Sequence, residues 1–375
     1  MKKQLTILFF LFICLSAWSQ DYIKLTTPCT TELLQKIPGK WIKKNDNIFY
    51  LTDKITKLQQ QEILNRLDSI HRWVDKIYTP FFGIDASWRR TASDGDFANE
   101  YKYENSPDAG FRSIQVNSIR VISYSYSVKF NEFFCSRNTP NEYLRYHGED
   151  GALLRISANM LGIFTSRALG EMAEVMQIDR RPIWTVSPVT GKWKGYDVYG
   201  SEVGSGPGTV LLHRKGMLPY IPVTRKQYLD RCITYLTKFY EKLIVDFEKT
   251  AKVWGIKTDT SEIKKIEKQK KDVFKHYQDE IEATTKAGLL DSTAIIPVEI
   301  CNISNTPIFT TEAQGGYILA TENPSYIRKD IPKYIPQFFS ISLEKYSYPF
   351  PPVPDPYKVI VESFPIEKLQ AMIDK

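Results

Sequence analysis

Residues 224–287 admit few alternative folds, because two helix-start signals there each precede a run of regularly spaced apolar side chains. Thr224 and Gln227 have the spacing of a capping box, in which each side chain bonds the backbone amide of the other residue. Asp259 and Glu262 repeat this spacing before a second, lysine-rich helix. Apolar residues three or four apart mark the buried side of the first helix: Leu229, Cys232, Ile233, Leu236, Phe239, Leu243 and Phe247. The sequence therefore predicts a long antiparallel helical pair.

Strand-like segments occur on both sides of this pair. Segment 114–134 alternates β-branched or aromatic residues with short polar ones, which is typical of a strand that buries one face. Further strands are expected at 153–160, 176–186, 209–213, 317–321 and 338–343. Residues 189–192 are expected to form a hairpin turn between Trp184 and Trp193. Together with the helical pair, these segments predict an α+β protein with mixed or antiparallel sheet regions.

Other local signals predict shorter elements. A helix with Thr52 as its N-cap is expected to reach Tyr78, with His71 packed or half-exposed at the border of its apolar face. A second short helix is expected at 166–174. The proline-dense stretch 348–356 favours a polyproline-II or irregular path. A strand at 357–361 and a helix at 365–373 are expected to follow it.

The order of these elements suggests three consecutive regions after residue 20. Residues 21–180 are expected to form an N-terminal α+β domain, and residues 181–290 a β-hairpin region that leads into the helical pair. Residues 291–375 are expected to be a proline-rich part that packs on the rest. A length of 375 residues is sufficient for two or three domains.

The first twenty residues have the pattern of a cleaved signal peptide. Lys2 and Lys3 precede an apolar run over 5–15, and small residues permit cleavage near Ser19 or Gln20. The run is shorter than the roughly 20 residues that a membrane-spanning helix needs. Cys14 follows Ile13, whereas lipid attachment favours a small residue at that place. We therefore expect a periplasmic or secreted protein whose mature chain has no transmembrane segment.

Four cysteines remain after such cleavage, namely Cys29, Cys135, Cys232 and Cys301, and they allow three pairings in an oxidising compartment. No CxxC motif is present, which argues against a zinc knuckle or a thioredoxin-like site. Cys232 lies on the apolar side of a predicted helix, where a buried thiol is expected. The mature chain would carry 48 basic and 43 acidic residues, and this mild excess, without a nucleic-acid motif, argues against nucleic-acid binding.

The sequence has few candidates for catalysis. P-loop, G-x-S-x-G and H-E-x-x-H motifs are absent. His147 lies beside Glu149 and Asp150 in a glycine-flanked segment, where the three side chains could supply a base and an acid or hold a metal. The alternative is an exposed polar turn between strands. We favour the turn, and we expect no cofactor, no metal and no enzymatic activity.

Aromatic residues offer a candidate for binding. Trp184, Trp193, Tyr196 and Tyr199 occur close together in the turn-rich region, and aromatic residues form 13% of the chain. Their rings combine a flat apolar surface with a polar edge, which suits stacking on sugars or contact with a peptide. The alternative is that these rings close the end of an ordinary β core.

Two segments resemble uncharacterised exported proteins of the Bacteroidota type. One is Leu-Pro-Tyr-Ile-Pro-Val-Thr-Arg-Lys-Gln-Tyr-Leu at 218–229. The other combines Asn-Pro-Ser-Tyr at 323–326 with Pro-Lys-Tyr-Ile-Pro-Gln-Phe at 332–338, and the signal ending Trp-Ser-Gln at 18–20 accompanies them. The resemblance covers a small part of the chain and implies no activity.

These observations favour a non-enzymatic exported protein that binds an envelope or extracellular component through aromatic residues. One alternative is a hydrolase of an envelope polymer that uses His147, Glu149 and Asp150. Another is a structural subunit of an extracytoplasmic assembly, with residues 225–287 as its oligomer contact.

Overall fold

The structure is a computed structural model that describes most of the chain. The described residues are 22–48, 55–80, 82–95, 97, 100–106, 110–117, 121–136, 138–145, 152–162, 164–167, 175–200, 208–255, 260–297, 301, 307–344 and 355–375. They contain both helices and sheets, and one sheet combines parallel with antiparallel pairs. The predicted α+β class is therefore confirmed, and so is the long helical pair.

The elements are numbered here in chain order. The strands are β1 Tyr22–Lys24, β2 Trp41–Lys43, β3 Asn47–Ile48, β4 Ile84–Gly95, β5 Glu100–Ser106, β6 Gly110–Asn117, β7 Val121–Cys135, β8 Glu142–Arg145, β9 Ala152–Ala158, β10 Phe164–Arg167, β11 Gln177–Ile178, β12 Arg181–Pro182, β13 Trp184–Val186, β14 Val189–Trp193, β15 Tyr196–Tyr199, β16 Gly208–Leu212, β17 Tyr220–Pro222, β18 Ile295–Ile296, β19 Tyr317–Glu322 and β20 Phe339–Glu344. The helices are α1 Thr31–Leu34, α2 Lys57–Ile77, α3 Arg225–Val253, α4 Thr260–Lys286, α5 Pro356–Ser363 and α6 Ile366–Gln370.

The chain forms two compact units built from discontinuous segments. Unit 1 is drawn from Met1–Ala92, Ser125–Ile156 and Ser342–Ile366. Unit 2 is drawn from Ser93–Tyr124, Ser157–Ile341 and Glu367–Lys375. The division into regions 21–180, 181–290 and 291–375 stays a prediction.

Unit 1 combines a mixed sheet with helix α2. Strand β4 pairs in parallel with β2 and β3 and also pairs with β7. Strand β7 pairs antiparallel with β8, which in turn pairs antiparallel with β1. A disulfide between Cys29 and Cys135, with a Cα–Cα distance of 5.6 Å, lies beside the small apolar cluster of Leu34, Phe133 and Tyr143. It joins two residues that are 106 positions apart in sequence, and the long loop that it closes restricts the conformations of the unfolded chain.

Helix α2 begins later than the sequence indicated. Its N-cap is Thr56, whose hydroxyl accepts from the Gln59 amide while the Gln59 side chain accepts from the Thr56 amide. Thr52, the predicted N-cap, lies outside the described residues. The prediction was wrong because Thr56 forms the complete capping box. Four apolar side chains on one side of the helix are buried: Ile63, Leu67, Ile70 and Val74.

Unit 2 packs the helical pair against a five-stranded sheet. The strand order is β10-β13-β19-β17, with β18 also paired to β19. The capping box of Thr224 and Gln227 is present at the start of α3, as predicted. The core of this unit joins both helices to the sheet and includes Met176, Ile183, Leu229, Cys232, Leu236, Tyr240, Val273, Tyr277 and Leu319.

Two other predicted elements differ from the structure. Residues 357–361 were expected to form a strand, but they belong to helix α5. Asp355 caps this helix by accepting from the Tyr357 amide, and Pro356 takes the first helical position, where its missing N–H costs nothing. The helix expected at 166–174 is also wrong at its start, because Phe164–Arg167 is strand β10 paired with β13. Residues 168–174 lie outside the described residues.

Candidate functional site

The predicted aromatic site lies mainly on the hairpin of β14 and β15. The two strands pair directly at Trp193 and Tyr196, so the connection is the two-residue turn of Lys194 and Gly195. Both turn residues have left-handed φ values, +50° and +88°. This turn matches the twist of the flanking strands, and glycine adopts it without strain. The turn predicted at 189–192 is wrong, because those residues form strand β14.

Trp193 and Tyr196 lie on the same face of this hairpin. Directly opposite residues of an antiparallel pair project side chains to one face, and both rings are half-exposed. Gly191 is two positions before Trp193 and shares that face, where a Cβ atom would meet nothing within 4 Å. We call Gly191, Trp193 and Tyr196 the aromatic platform. It places two partly exposed rings side by side on one face of the hairpin.

The opposite face of the hairpin is charged. Lys192 and Asp197 are also direct cross-strand partners, and their Nζ and Oδ1 atoms are 2.6 Å apart. Their side chains are 65% and 43% exposed, so the pair stabilises the hairpin only slightly. The charged pair therefore lies on the face opposite the aromatic platform.

The other two predicted aromatic residues lie elsewhere. Tyr199, at the end of β15, packs against the apolar cluster of Val186, Leu211 and Tyr220. Burial of its ring raises the pKa of Tyr199, as does its hydrogen bond with Tyr220. Trp184 lies on β13 in the five-stranded sheet, opposite Ala320 of β19. Tyr199 thus packs against a β core, and Trp184 lies on a different sheet from the hairpin.

The predicted catalytic residues His147, Glu149 and Asp150 lie outside the described residues. Strand β8 ends just before them, at Arg145. Cys135, the cysteine that precedes them in sequence, is bonded to Cys29. The hydrolase hypothesis based on these residues stays a prediction.

Sequence reasoning missed an aromatic cluster around His71 in unit 1. The imidazole stacks on Trp88 at a centroid distance of 3.8 Å and meets the edge of Trp41 at 5.1 Å. Its Nδ1 atom is 3.2 Å from the hydroxyl oxygen of Tyr126. Burial lowers the pKa of His71, although nearby aspartates act in the opposite direction. The ring is packed among these aromatic residues, as the position of His71 beside the apolar face of α2 predicted.

Arg90 links two carboxylates beside this cluster. The guanidinium donates two bonds of 2.9 Å to Asp68 and two bonds to Asp46. The Arg90 side chain is only 9% exposed, and the Asp46 side chain is 23% exposed. The hydrogen bonds from Arg90 lower the pKa of Asp46, because they favour its charged form. Arg90 therefore connects strand β4 to Asp68 of helix α2 and to Asp46, which lies between β2 and β3.

The Asp46 contact is expected to make stability depend on pH in acid. A carboxyl whose pKa is lower in the folded state stabilises the fold above its unfolded pKa, about 4, and less as the pH falls through the folded value. We expect Asp46→Asn to be less stable than the wild type at pH 7 in urea unfolding. The difference should shrink below about pH 4. Asp230→Asn, on the exposed side of α3, is the control. A difference that stays constant down to pH 3 would contradict this expectation.

Comparison with other proteins gives no guide to the site. No protein-family model, curated protein or solved structure matches the chain. Within the described ranges, no helix is both long and apolar enough to cross a membrane. Among the same residues, no group of three or more His, Cys, Asp and Glu side chains is placed to hold a metal ion.

Proposed function

We propose that the protein is exported and binds a polysaccharide of the cell envelope or its surroundings through the aromatic platform, without catalysis. The observation that carries this proposal is the pairing of Trp193 with Tyr196 on the open face of the hairpin. Adjacent rings on a sheet face offer a rigid apolar surface, and the indole N–H and phenol O–H at their edges can bond hydroxyl groups.

Two features of the hairpin and the overall charge of the chain suit this role. The short turn at Lys194 and Gly195 fixes the strand register. The hairpin therefore loses little conformational freedom when a ligand binds. A Cβ atom at Gly191 would meet nothing within 4 Å, so this position leaves space beside Trp193 for part of a ligand. The mild positive charge of the mature chain would add weak attraction to anionic envelope polymers.

The structural-subunit alternative retains one supporting observation. Val253 and Trp254, at the end of α3, are 82% and 74% exposed, which is unusual for large apolar side chains. However, the facing sides of α3 and α4 are already used within unit 2, where Leu236 and Tyr277 belong to one core. An oligomer contact through residues 225–287 stays a prediction.

Truncation of the platform is expected to weaken polysaccharide binding. We expect the mature chain to sediment with purified peptidoglycan sacculi, and Trp193→Ala to weaken that binding about tenfold or more, since a buried aromatic contact contributes at least about 1.4 kcal/mol. The measurement is the fraction of protein that sediments over a range of sacculus concentrations, repeated with an insoluble neutral glucan. Circular dichroism verifies that the variant is folded.

Lys192→Ala is the matched control for this experiment. It alters the same hairpin at an exposed position but leaves the platform intact. Its binding should equal that of the wild type at physiological salt. Equal binding by Trp193→Ala and the wild type would contradict the proposal, and so would a wild-type chain that sediments with neither polymer. Binding that disappears in 0.5 M salt but is equally strong for Trp193→Ala and the wild type would instead indicate simple charge attraction.

A further inference from the structure

The exposed side of helix α4 carries a row of lysines. Val273 and Tyr277 belong to the core of unit 2, so they define the buried side of this helix. Exposed lysines at intervals of four, three and four residues lie on another side, because a helix has 3.6 residues per turn. At 1.5 Å per residue they extend over roughly 17 Å. We call these four residues the lysine row: Lys264, Lys268, Lys271 and Lys275.

The positive charge of the lysine row is not neutralised by its neighbours. Residues 264–275 contain six lysines and only two acids, Glu267 and Asp272. Lys265, which lies outside the row, forms an ion pair with Glu262. Within the described part of the chain, no member of the row forms such a pair. The row is therefore a concentrated positive surface in a chain whose overall charge is nearly balanced.

A groove of about 560 Å³ lies along this part of the helix. The described residues that line it are Lys264, Glu267, Lys268, Lys270, Lys271 and Phe274. Phe274 is half-exposed, and the Lys270 Nζ atom is 5.8 Å from the centre of its ring. Among these lining residues, Glu267 is the only acid. The groove thus combines several ammonium groups with one aromatic ring.

This composition indicates the chemistry of a partner. An ammonium group is a point charge that attracts anions without a fixed geometry, whereas the arginine fork requires one, and residues 260–286 contain no arginine. A row of point charges suits a polymer whose anionic groups recur along its length. The ring of Phe274 adds an apolar contact for the face of a sugar. A lipid surface fits less well, because Phe274 packs against the core of unit 2 instead of projecting beyond the lysines.

We infer that the lysine row and Phe274 form a second binding surface, which takes a linear polysaccharide with carboxylate groups on its sugars. This surface lies on α4, whereas the aromatic platform lies on β14 and β15. The inference therefore shares with the proposed function only the export that brings the protein into contact with such a polymer.

Replacement of three lysines of the row by glutamine tests the inference. The combined variant Lys264→Gln, Lys268→Gln and Lys271→Gln should bind polygalacturonate about tenfold more weakly than the wild-type mature chain, because three exposed charge contacts are lost. Glutamine forms helices about as well as lysine, so α4 should be retained, which circular dichroism verifies. Isothermal titration calorimetry measures the affinity. An affinity equal to that of the wild type would overturn the inference, and so would a wild type that does not bind polygalacturonate.

A matched variant removes the same charge elsewhere in unit 2. Lys215→Gln, Lys226→Gln and Lys329→Gln together replace three exposed lysines that lie outside α4. This control should bind polygalacturonate as the wild type does. Equal weakening by both triple variants would show that net charge alone attracts the polymer, and the lysine row would then have no special part.

Phe274→Leu tests whether the partner is a polysaccharide. Leucine retains apolar packing on the core but removes the ring, so polygalacturonate binding should weaken about threefold. Binding of inorganic polyphosphate should be the same for Phe274→Leu and the wild type. Tighter binding of polyphosphate or of phosphatidylglycerol vesicles than of polygalacturonate, with no effect of Phe274→Leu on any of them, would overturn the assignment of a polysaccharide.

The second surface and the aromatic platform can fail separately. A neutral glucan has no charge for the lysine row, so the triple variant of the row should bind it as the wild type does. A wild type that binds polygalacturonate through the row, but whose binding to sacculi and glucan is unchanged by Trp193→Ala, would overturn the platform alone.

Discussion

Replacement of Asn159 by alanine is expected to lower the free energy of unfolding by about 4 kcal/mol. Asn159 is 2% exposed, and its amide nitrogen donates to the carbonyl oxygens of Ile122 and Ile335 at 3.0 and 3.2 Å. Its Oδ1 accepts from the Gln337 amide at 2.8 Å. Alanine would leave three buried backbone groups without this partner, each at a cost of about 1 kcal/mol or more. Alanine also tolerates the φ of +57° less well than asparagine.

Two companion variants separate these causes. Asn159→Gly removes the same hydrogen bonds but accepts the left-handed backbone, so it should be less destabilising than alanine by about 1 kcal/mol. Asn159→Asp retains an acceptor for Gln337 but loses both donors. Urea unfolding followed by circular dichroism measures all three. A loss below about 1 kcal/mol for alanine would show that water replaces the amide without difficulty.

The elements predicted correctly are those that local sequence specifies. Thr224 and Gln227 satisfy each other's amides within four residues, and the apolar spacing beyond them requires only a helix. Asn159 carries no such local signal, because its partner Ile335 is 176 positions away. A polar residue in a predicted strand region cannot be assigned to the interior until the fold brings its partners together.

Turns with left-handed residues explain two of the boundary errors. Lys194 and Gly195 form a two-residue turn, and Asp179 and Arg180, with φ values of +48° and +64°, connect β11 to β12 in the same way. The expected single strand at 176–186 is broken by this second turn. Neither pair is the Asn-Gly or Asp-Gly sequence that marks such turns most strongly. The twist of the paired strands decides their conformation.

The aromatic site was half predictable. Proximity in sequence placed Trp193 and Tyr196 in one region, but only the strand register shows that they share a face. Register also separates Trp184, which belongs to another sheet. The cluster of Trp41, His71 and Trp88 was missed for the same reason, because strands and a helix from different parts of the chain bring those rings together.

Residues 323–326 and 332–338 take part in a buried polar network of unit 2. Tyr326, from Asn-Pro-Ser-Tyr, accepts from the Arg214 amide at 2.8 Å and donates to the Gln337 carbonyl at 2.9 Å. The side-chain oxygen of Gln337, in residues 332–338, accepts from the amide of Arg328 at 2.7 Å. Burial raises the pKa of Tyr326 to about 12, so its hydroxyl remains a donor at all ordinary pH values. Tyr326 and Gln337 therefore have a structural part in unit 2.

Arg214 joins this network to the last turn of the chain, and its loss is expected to cost about 3 kcal/mol. The guanidinium donates to Asp374 Oδ2 at 2.7 Å, to the Tyr326 carbonyl at 2.6 Å and to Gln337 Oε1 at 2.6 Å. It also lies 4.2 Å from the centre of the Tyr326 ring. Arg214→Met retains much of the apolar contact but leaves a carboxylate that is only 17% exposed without its main partner.

Lysine and a double variant make the Arg214 experiment decisive. Arg214→Lys should recover less than half of the lost stability, because one ammonium group cannot reach three acceptors held in a fork. Arg214→Met combined with Gln337→Ala should be less destabilising than the sum of the two single variants, by about 1 kcal/mol, since both remove the same bond. Arg231→Met, at an exposed position of α3, is the control and should change stability by less than about 0.5 kcal/mol. Full recovery with lysine, or strict additivity with Gln337→Ala, would show that Arg214 acts only as a positive charge and that the fork geometry has no part in stability.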